Sequence, residues 1–245
     1  MNLVRVLQQA RQTVAASRPR TAVISGALLA AAAAAGIVLS QLGDPPPANT
    51  ASAGAAPAVE QSVAPAPKQS TAPAPAAKVL DYQFQLQPNF YYCGPAATRI
   101  ALTAAGHTIS QDQAATLLHT TTSGTNSAFD TTRALNSVLD RGTVYRTREI
   151  PAYPATPAQA AQLRSDVVSA ITSGRAVVAN IAGHLTDNTG VVHAYEGGHY
   201  LTLVGYEDGG STVKIADPAN PRGDGTYWVS IPRLADWISQ RGYSY

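Results

Sequence analysis

The sequence has little cysteine, little acidic charge near its N-terminus and no basic excess in its C-terminal two thirds. Cys93 is the only cysteine in 245 residues, so no thiol near the N-terminal apolar run is available for lipid attachment. Arg18 and Arg20 are separated by a proline, which excludes an adjacent arginine pair of the twin-arginine type. Residues 79–245 hold 11 Lys and Arg against 13 Asp and Glu, a balance that gives no support for nucleic-acid binding.

The N-terminal 42 residues have the pattern of a membrane-targeting segment. Residues 1–20 carry four arginines and no acidic residue, and residues 21–42 are uncharged. A helix needs about 20 residues to cross a bilayer, and a basic flank stays in the cytoplasm. We predict a cytoplasmic N-terminus (1–20) followed by a transmembrane anchor or signal-peptide core (21–42). The small-x-small motif at residues 51–53 lies far beyond the apolar run, which favours an uncleaved anchor over a cleaved signal.

Residues 43–78 have the composition of a linker. They include 12 Ala and 8 Pro and no aromatic residue, and Val59 and Val63 are their only bulky aliphatic residues. Such a segment buries too little apolar surface to offset its ordering entropy. Proline keeps it extended, with a reach of up to roughly 100 Å. We expect it to hold an extracytoplasmic domain, membrane-anchored or secreted, away from the bilayer.

Residues 79–245 form a segment of ordinary domain size. Helices are predicted first, over 95–105, 110–118, 128–140 and 156–172, with strands at 81–86 and 143–150. Strands then dominate, at 176–182, 199–206, 212–216 and 226–231, and a short helix at 232–240 follows. This order predicts an α+β fold in which an N-terminal helical lobe packs on a C-terminal antiparallel sheet.

Cys93 lies in the segment "LQPNFYYCGPAATRIAL", directly before the first predicted helix. A thiolate is the nucleophile of cysteine chemistry, and the positive end of a helix dipole stabilises it. Gly94 has no side chain and so permits a substrate carbonyl to approach the backbone. Gln87 can supply an amide N–H that forms an oxyanion hole together with the Cys93 N–H. The alternative is a cysteine that only packs, but a lone thiol in an exported protein risks oxidation.

A nucleophilic cysteine needs a base, and His199 is the best placed of the histidines. It follows two glycines and starts the most apolar predicted strand, whereas the polar segment 184–196 resembles a flexible lid. The other candidates lie in turns, at a helix end or in that polar segment: His107, His119, His184 and His193.

Asp217 is the candidate third member of a triad, because it ends the strand that follows His199 in the chain. A hairpin with the five-residue loop 207–211 places Asp217 opposite Leu201 and diagonal to His199. Diagonal neighbours lie about 7–8 Å apart, a distance that side chains can bridge. A two-residue Gly-Gly turn would put the two residues on opposite faces of the sheet. The alternative is an Asp-Pro turn with no chemical role.

Three segments together resemble the double-glycine-leader peptidases, the bacteriocin-processing cysteine peptidases of papain-like fold, and their stand-alone exported relatives. The segments are "QPNFYYCGPAA", "GGHYLTLVGY" and "VKIADPAN". The resemblance implies that Gln87 is the oxyanion residue, Cys93 the nucleophile, His199 the base and Asp217 the orienting acid. Members of that family are usually fused to an ATP-driven exporter that faces the cytoplasm, and this chain has no transporter segment.

The sequence therefore predicts an exported cysteine peptidase or amide hydrolase that needs no cofactor or metal, acts on a peptide or protein as a monomer and binds no nucleic acid. Two alternatives use the same domain: acyl transfer to an amine, as in transglutaminase-like or transpeptidase enzymes, and a non-catalytic wall-tethered binding domain. A metal hydrolase using His193, Glu196 and His199 is disfavoured, because a Gly-Gly pair interrupts the spacing that a zinc helix requires.

Overall fold

Several helix ends lie where the sequence supplies capping groups. The computed structural model describes residues 73–139 and 144–245, and its helices within them are Cys93–Ala104 (α1), Gln111–Leu118 (α2), Ala128–Leu139 (α3), Pro157–Thr172 (α4) and Ile231–Ile238 (α5). Ser110 and Thr156 both form capping boxes, as their sequences suggest. Gly106 and Gly174 follow helix ends with positive φ.

One antiparallel sheet carries the rest of the fold. Its strands, in chain order, are Lys78–Val79 (β1), Thr147–Ile150 (β2), Val177–Thr186 (β3), Val192–Glu207 (β4), Thr212–Ala216 (β5), Thr226–Ser230 (β6) and Arg241–Ser244 (β7). They lie in the order β2-β7-β3-β4-β5-β6, and β1 pairs with β4 beyond the end of β3. All strand pairs are antiparallel.

Helices cover both faces of this sheet. The Thr202 hydroxyl donates to the Ala97 carbonyl at 2.9 Å, which fixes α1 against β4. Ser244 bonds to α3, while its neighbour Tyr243 donates to Asp166 of α4 at 2.7 Å. Because adjacent strand residues point to opposite faces, α3 and α4 lie on opposite sides of β7. The predicted α+β class, in which helices pack on an antiparallel sheet, is confirmed.

The start of α1 and the conformation of residues 81–86 differ from the predicted elements. Helix α1 starts at Cys93 and not at residue 95, because the first-turn N–H groups have no intrahelical acceptor and proline is tolerated there. Residues 81–86 are not a strand, although they alternate. The N–H of Gln83 donates to the Thr103 hydroxyl at 3.0 Å, so this segment is held by a side chain and not by a strand ladder.

Residues 184–196, predicted as a flexible lid, form a β-hairpin instead. They form the tip of the β3–β4 hairpin, with His184 opposite Ala194 and Thr186 opposite Val192. Only the tight turn between the two strands lies outside the ladder. The polar composition and the glycines suggested a loop, but the alternation along residues 192–196 fits a solvent-facing hairpin.

The predicted linker and membrane segment lie largely outside the described residues. Residues 75–78, the end of the predicted linker, are bonded to the domain: the Tyr206 hydroxyl donates to the Pro75 carbonyl and the Gly209 N–H donates to the Ala76 carbonyl. Within residues 73–139 and 144–245, none of the helices combines the length and apolar character needed to span a bilayer. The predicted segments 1–20 and 21–42 remain predictions.

Candidate active site

Helix α1 presents Cys93 at its positive end. Cys93 is buried in the first turn, and that turn contains no acidic residue to compensate the helix dipole. Burial raises the pKa of the Cys93 thiol. A hydrogen bond with His199, the charge of that ring and the N–H groups of Tyr200 and Gly94 outweigh burial and lower the pKa below its ordinary value. The surroundings of Cys93 therefore favour the thiolate.

His199 lies between Cys93 and Asp217. Its Nε2 is 2.8 Å from Asp217 Oδ1, which leaves Nδ1 for the hydrogen bond to Cys93. The ring is 4% exposed. Burial lowers the pKa of His199, but the hydrogen bonds to Asp217 and Cys93 outweigh burial and raise the pKa to about 9. The imidazolium is therefore the favoured form at neutral pH.

Asp217 is fully buried, and its carboxylate accepts four hydrogen bonds. Oδ1 accepts from His199 and from the Ala219 N–H at 2.9 Å. Oδ2 accepts from the hydroxyls of Tyr195 at 2.8 Å and Tyr227 at 2.9 Å. Burial raises the pKa of Asp217, but these bonds, led by the one from His199, lower it overall. The carboxylate is thus held ionised and fixed in orientation.

Tyr195 and Tyr227 are site residues to which the sequence analysis gave no role. Tyr195 also stacks on the His199 ring, with centroids 4.0 Å apart and planes at 19°. It therefore holds both the imidazole and its carboxylate partner. Burial raises the pKa of both phenols, so both remain O–H donors. A strand that continued from His199 back to Tyr195 would have indicated that these residues lie on one side of the sheet. The prediction of a loop over residues 184–196 excluded that strand.

The register predicted for Asp217 is present, but it arises by a different route. Thr202 lies opposite Ala216, so Asp217 follows opposite Leu201. The loop between the strands is one residue shorter than predicted, since Glu207 pairs with Thr212. A register shift between Leu203 and Gly205 restores the alignment.

Gln87 lies beside this row of residues. Its backbone N–H donates to the carbonyl of Pro218, the residue after Asp217, at 2.9 Å. Its side-chain Nε2 donates to the Asn89 carbonyl at 2.8 Å, and its Oε1 is buried without a hydrogen-bond partner in the described part of the chain. An amide nitrogen carries two hydrogens, so one remains for a substrate oxygen. The structure therefore brings Cys93, His199 and Asp217 into one bonded row and places Gln87 next to it.

Gly94 serves a purpose that differs from the one expected. A Cβ on Gly94 would lie 2.3 Å from Thr125 Oγ1 and 2.8 Å from Thr125 Cβ. The missing side chain thus admits Thr125, and not a substrate carbonyl, against the start of α1. Thr125 in turn bonds to Thr120 at 2.8 Å, which fixes the segment between α2 and α3 beside Cys93.

A cavity of about 430 Å³ opens beside Cys93. One wall is formed by Phe90, which is 81% exposed, and Tyr91, whose rings meet edge to face at 5.2 Å. Other walls come from residues 122–126, residues 197–200, Asn180 and Arg241. The cavity thus joins Cys93 to an exposed aromatic rim.

The residues of the metal-hydrolase alternative have separate partners. His193 Nε2 lies 3.0 Å from Asp187, Glu196 lies 3.7 Å from His184, and His199 is bonded to Asp217. The His193 ring stacks on Tyr227 with centroids 3.7 Å apart. Within the described residues, no group of three or more His, Cys, Asp or Glu side chains is arranged to hold a metal ion.

Comparison with known proteins gives one family match and several structural ones. A family model described as "Peptidase_C39 like family" matches residues 79–244. A C39-like peptidase from Bacillus anthracis is 14% identical, with a TM-score of 0.45 and coverage of 68% of this chain and 96% of that one. The peptidase domain of Streptococcus ComA is 17% identical, with a TM-score of 0.44 and coverage of 67% and 97%. Xylellain, a cysteine protease from Xylella fastidiosa, is 11% identical, with a TM-score of 0.39 and coverage of 70% and 85%. No curated protein matches the chain.

Proposed function

The chain belongs to the Peptidase_C39-like family, and from this premise we propose that it is a cysteine peptidase whose nucleophile is Cys93. Membership confirms the family resemblance and the papain-like α+β fold expected from the sequence. The observation that carries the proposal is the buried row in which Asp217 bonds to His199 and His199 bonds to Cys93. Nucleophile, base and orienting group in hydrogen-bond reach are the arrangement that covalent catalysis requires.

In the acylation step, the Cys93 thiolate attacks the carbonyl carbon of a peptide bond and forms a C–S bond. The carbonyl oxygen becomes an oxyanion, which accepts hydrogen bonds from the Cys93 N–H, free of an intrahelical acceptor, and from Gln87 Nε2. His199 then gives its proton to the departing nitrogen as the C–N bond breaks. The first product leaves as a free amine, and a thioester remains on Cys93.

In the deacylation step, neutral His199 takes a proton from water while the water oxygen attacks the thioester carbon. The C–S bond breaks, the carboxyl product leaves and the thiolate–imidazolium pair is restored. Asp217 stays ionised throughout and stabilises the imidazolium of each step. An amine that replaced water would give acyl transfer instead.

The cost of the buried charges supports catalysis over a non-catalytic binding role. An ionised carboxylate and a protonated imidazole are expensive to bury unless both are fully bonded. A packed binding domain would reach similar stability with apolar residues at these positions. The four bonds to Asp217 keep one reactive orientation of His199, and peptide binding alone requires no such orientation.

The full chain, purified in detergent, is expected to cleave members of an undirected peptide mixture, with new N-termini detected by mass spectrometry. The Cys93→Ala chain provides the control, because it keeps the fold and lacks the nucleophile. Products that carry an added glycine amide, when that amine is supplied, would identify acyl transfer. If wild-type and Cys93→Ala chains leave the mixture equally intact, the binding-domain alternative is favoured.

We further propose that the domain is extracytoplasmic and tethered by residues 21–42, on the strength of the uncharged run and its arginine flank. Alkaline phosphatase fused after Tyr245 is expected to be active in cells, because this reporter needs disulfides that form outside the cytoplasm. Deletion of residues 21–42 should abolish the reporter signal. An inactive fusion of the intact chain would contradict the proposal.

A further inference from the structure

Arg241 carries a positive charge into the Cys93 cavity. It begins β7, and its guanidinium reaches the backbone next to the base: Nη2 lies 3.5 Å from the position that a Cβ on Gly198 would occupy. Gly198 directly precedes His199 and has a positive φ, so glycine both suits this backbone and leaves the space above it open to the guanidinium.

A second observation places the Arg241 charge close to the reaction centre. Burial raises the pKa of the Tyr200 phenol, the charges of the Cys93 thiolate and Asp130 raise it further, and the Arg241 charge opposes them. Tyr200 therefore lies within the electrostatic reach of the thiolate and of the guanidinium. The three side chains line one cavity.

Within residues 73–139 and 144–245, Arg241 has no carboxylate within salt-bridge distance, and its guanidinium donates no hydrogen bond. Arg148 and Arg133, in contrast, are paired with Asp166 and Asp130 at 2.6 Å. No acidic residue lines the Cys93 cavity. Arg241 is half-buried, and its guanidinium keeps its N–H donors free for an anion that enters the cavity.

We propose that Arg241 is a specificity-determining residue that binds a carboxylate of the peptide substrate beside the scissile bond. The inference rests on the proposed peptidase function and names the substrate class of the same site. Arginine recognises a carboxylate through two parallel N–H···O bonds, which fix both position and orientation. The carboxylate belongs either to an Asp or Glu side chain or to the C-terminus of a short peptide.

The experiment compares matched peptides on the full chain. One series carries Glu, Gln or Ala at each position around the cleaved bond, and the other carries a free acid or an amide at its C-terminus. Hydrogen bonds to charged groups contribute about 1.5–3 kcal/mol, so the preferred acid is expected to exceed its neutral analogue in kcat/KM by roughly 10- to 100-fold. The series in which the preference appears identifies the source of the carboxylate.

Arg241→Gln is expected to reduce the acid-to-neutral ratio to near one while neutral peptides are still cleaved. Arg241→Lys, which keeps the charge without the two-bond geometry, should retain part of the preference. Arg233→Gln is the matched control, because Arg233 lies outside the Cys93 cavity and donates to the Thr186 carbonyl at 3.3 Å. It should leave the ratio unchanged.

An acid-to-neutral ratio near one in the wild-type chain, or an unchanged ratio in Arg241→Gln, would overturn the proposal. If the wild-type chain cleaves no peptide, the proposed peptidase function fails separately. Binding of the same fluorescent peptides to Cys93→Ala and to Cys93→Ala with Arg241→Gln then decides the role of Arg241. If acidic and neutral peptides give equal anisotropy titrations on Cys93→Ala, Arg241 does not bind a substrate carboxylate and the proposal is wrong.

Discussion

Asp217→Asn is expected to lower kcat/KM by about 10²- to 10⁴-fold, the range associated with a wrongly oriented catalytic histidine. Asparagine has nearly the same shape as aspartate but lacks the charge and one acceptor. If its NH₂ replaces Oδ1, it faces the Ala219 N–H and forces His199 Nε2 to accept, which moves the ring proton toward Cys93. If its NH₂ replaces Oδ2, it meets the Tyr195 and Tyr227 hydroxyls as a third donor.

Either orientation also removes the negative charge that stabilises the His199 imidazolium. The substitution should therefore reduce the pKa of His199 and shift the pH–rate profile, in addition to lowering the free energy of unfolding by about 1–3 kcal/mol. Peptide hydrolysis measured across pH, together with urea unfolding, separates the two effects. Full activity in a stably folded Asp217→Asn chain would remove Asp217 from the mechanism.

Asp166→Asn is the matched control for this experiment. Asp166 is also buried, and it accepts from Arg148, Gln162 and Tyr243 on the α4 side of the sheet. Its substitution should cost comparable stability because it also leaves buried donors unpaired. It should not change the pH–rate profile, since Asp166 touches no residue of the Cys93 row.

The elements with local signals were predictable from the sequence. Capping boxes at Ser110 and Thr156 and glycines after α1 and α4 depend on residues within one turn of each other, so a helix end can be inferred without its surroundings. Strand β5 was predicted with its observed limits, because its alternation is bounded by turn residues on both sides.

The elements with distant partners were not predictable. Strand β7 was missed because Arg241–Ser244 becomes a strand only through its pairing with β2 and β3. Residues 81–86 alternate as a strand does, but in the structure they join no strand ladder. Alternation reports which face of a segment is buried and not whether a hydrogen-bonding partner exists.

In the candidate site, too, contacts between neighbouring strands were predictable and contacts between distant segments were not. The position of Asp217 relative to His199 could be predicted, because alternate residues of a strand lie on the same face of the sheet. The predicted five-residue loop is wrong, but a shorter loop and a bulge give the same register. The Thr125 contact at Gly94 and the charge of Arg241 in the cavity, in contrast, each depend on segments far apart in the chain. Such contacts leave no spacing pattern to read.

His199→Ala is expected to raise the pKa at which iodoacetamide labels Cys93. In the wild-type chain the thiolate and imidazolium coexist between the lowered pKa of Cys93 and the His199 pKa of about 9. Below that window the thiol is protonated, and above it the imidazole loses its proton while the thiolate stays. Labelling should therefore begin below the ordinary thiol range and remain high above pH 9.

Removal of the ring leaves burial as the largest influence on Cys93, and burial raises its pKa. A thiol with an ordinary pKa is only about 3% ionised at pH 7, so the labelling rate at pH 7 should fall toward that of a free thiol. His193→Ala is the matched control, because His193 is likewise paired with an aspartate and stacked on a tyrosine but makes no contact with Cys93. Its labelling profile should match the wild type. A thiol that labels alike in wild type and His199→Ala would mean that the α1 dipole and the N–H groups of Gly94 and Tyr200 are enough to set the Cys93 pKa. The base would then have to be sought elsewhere in the cavity.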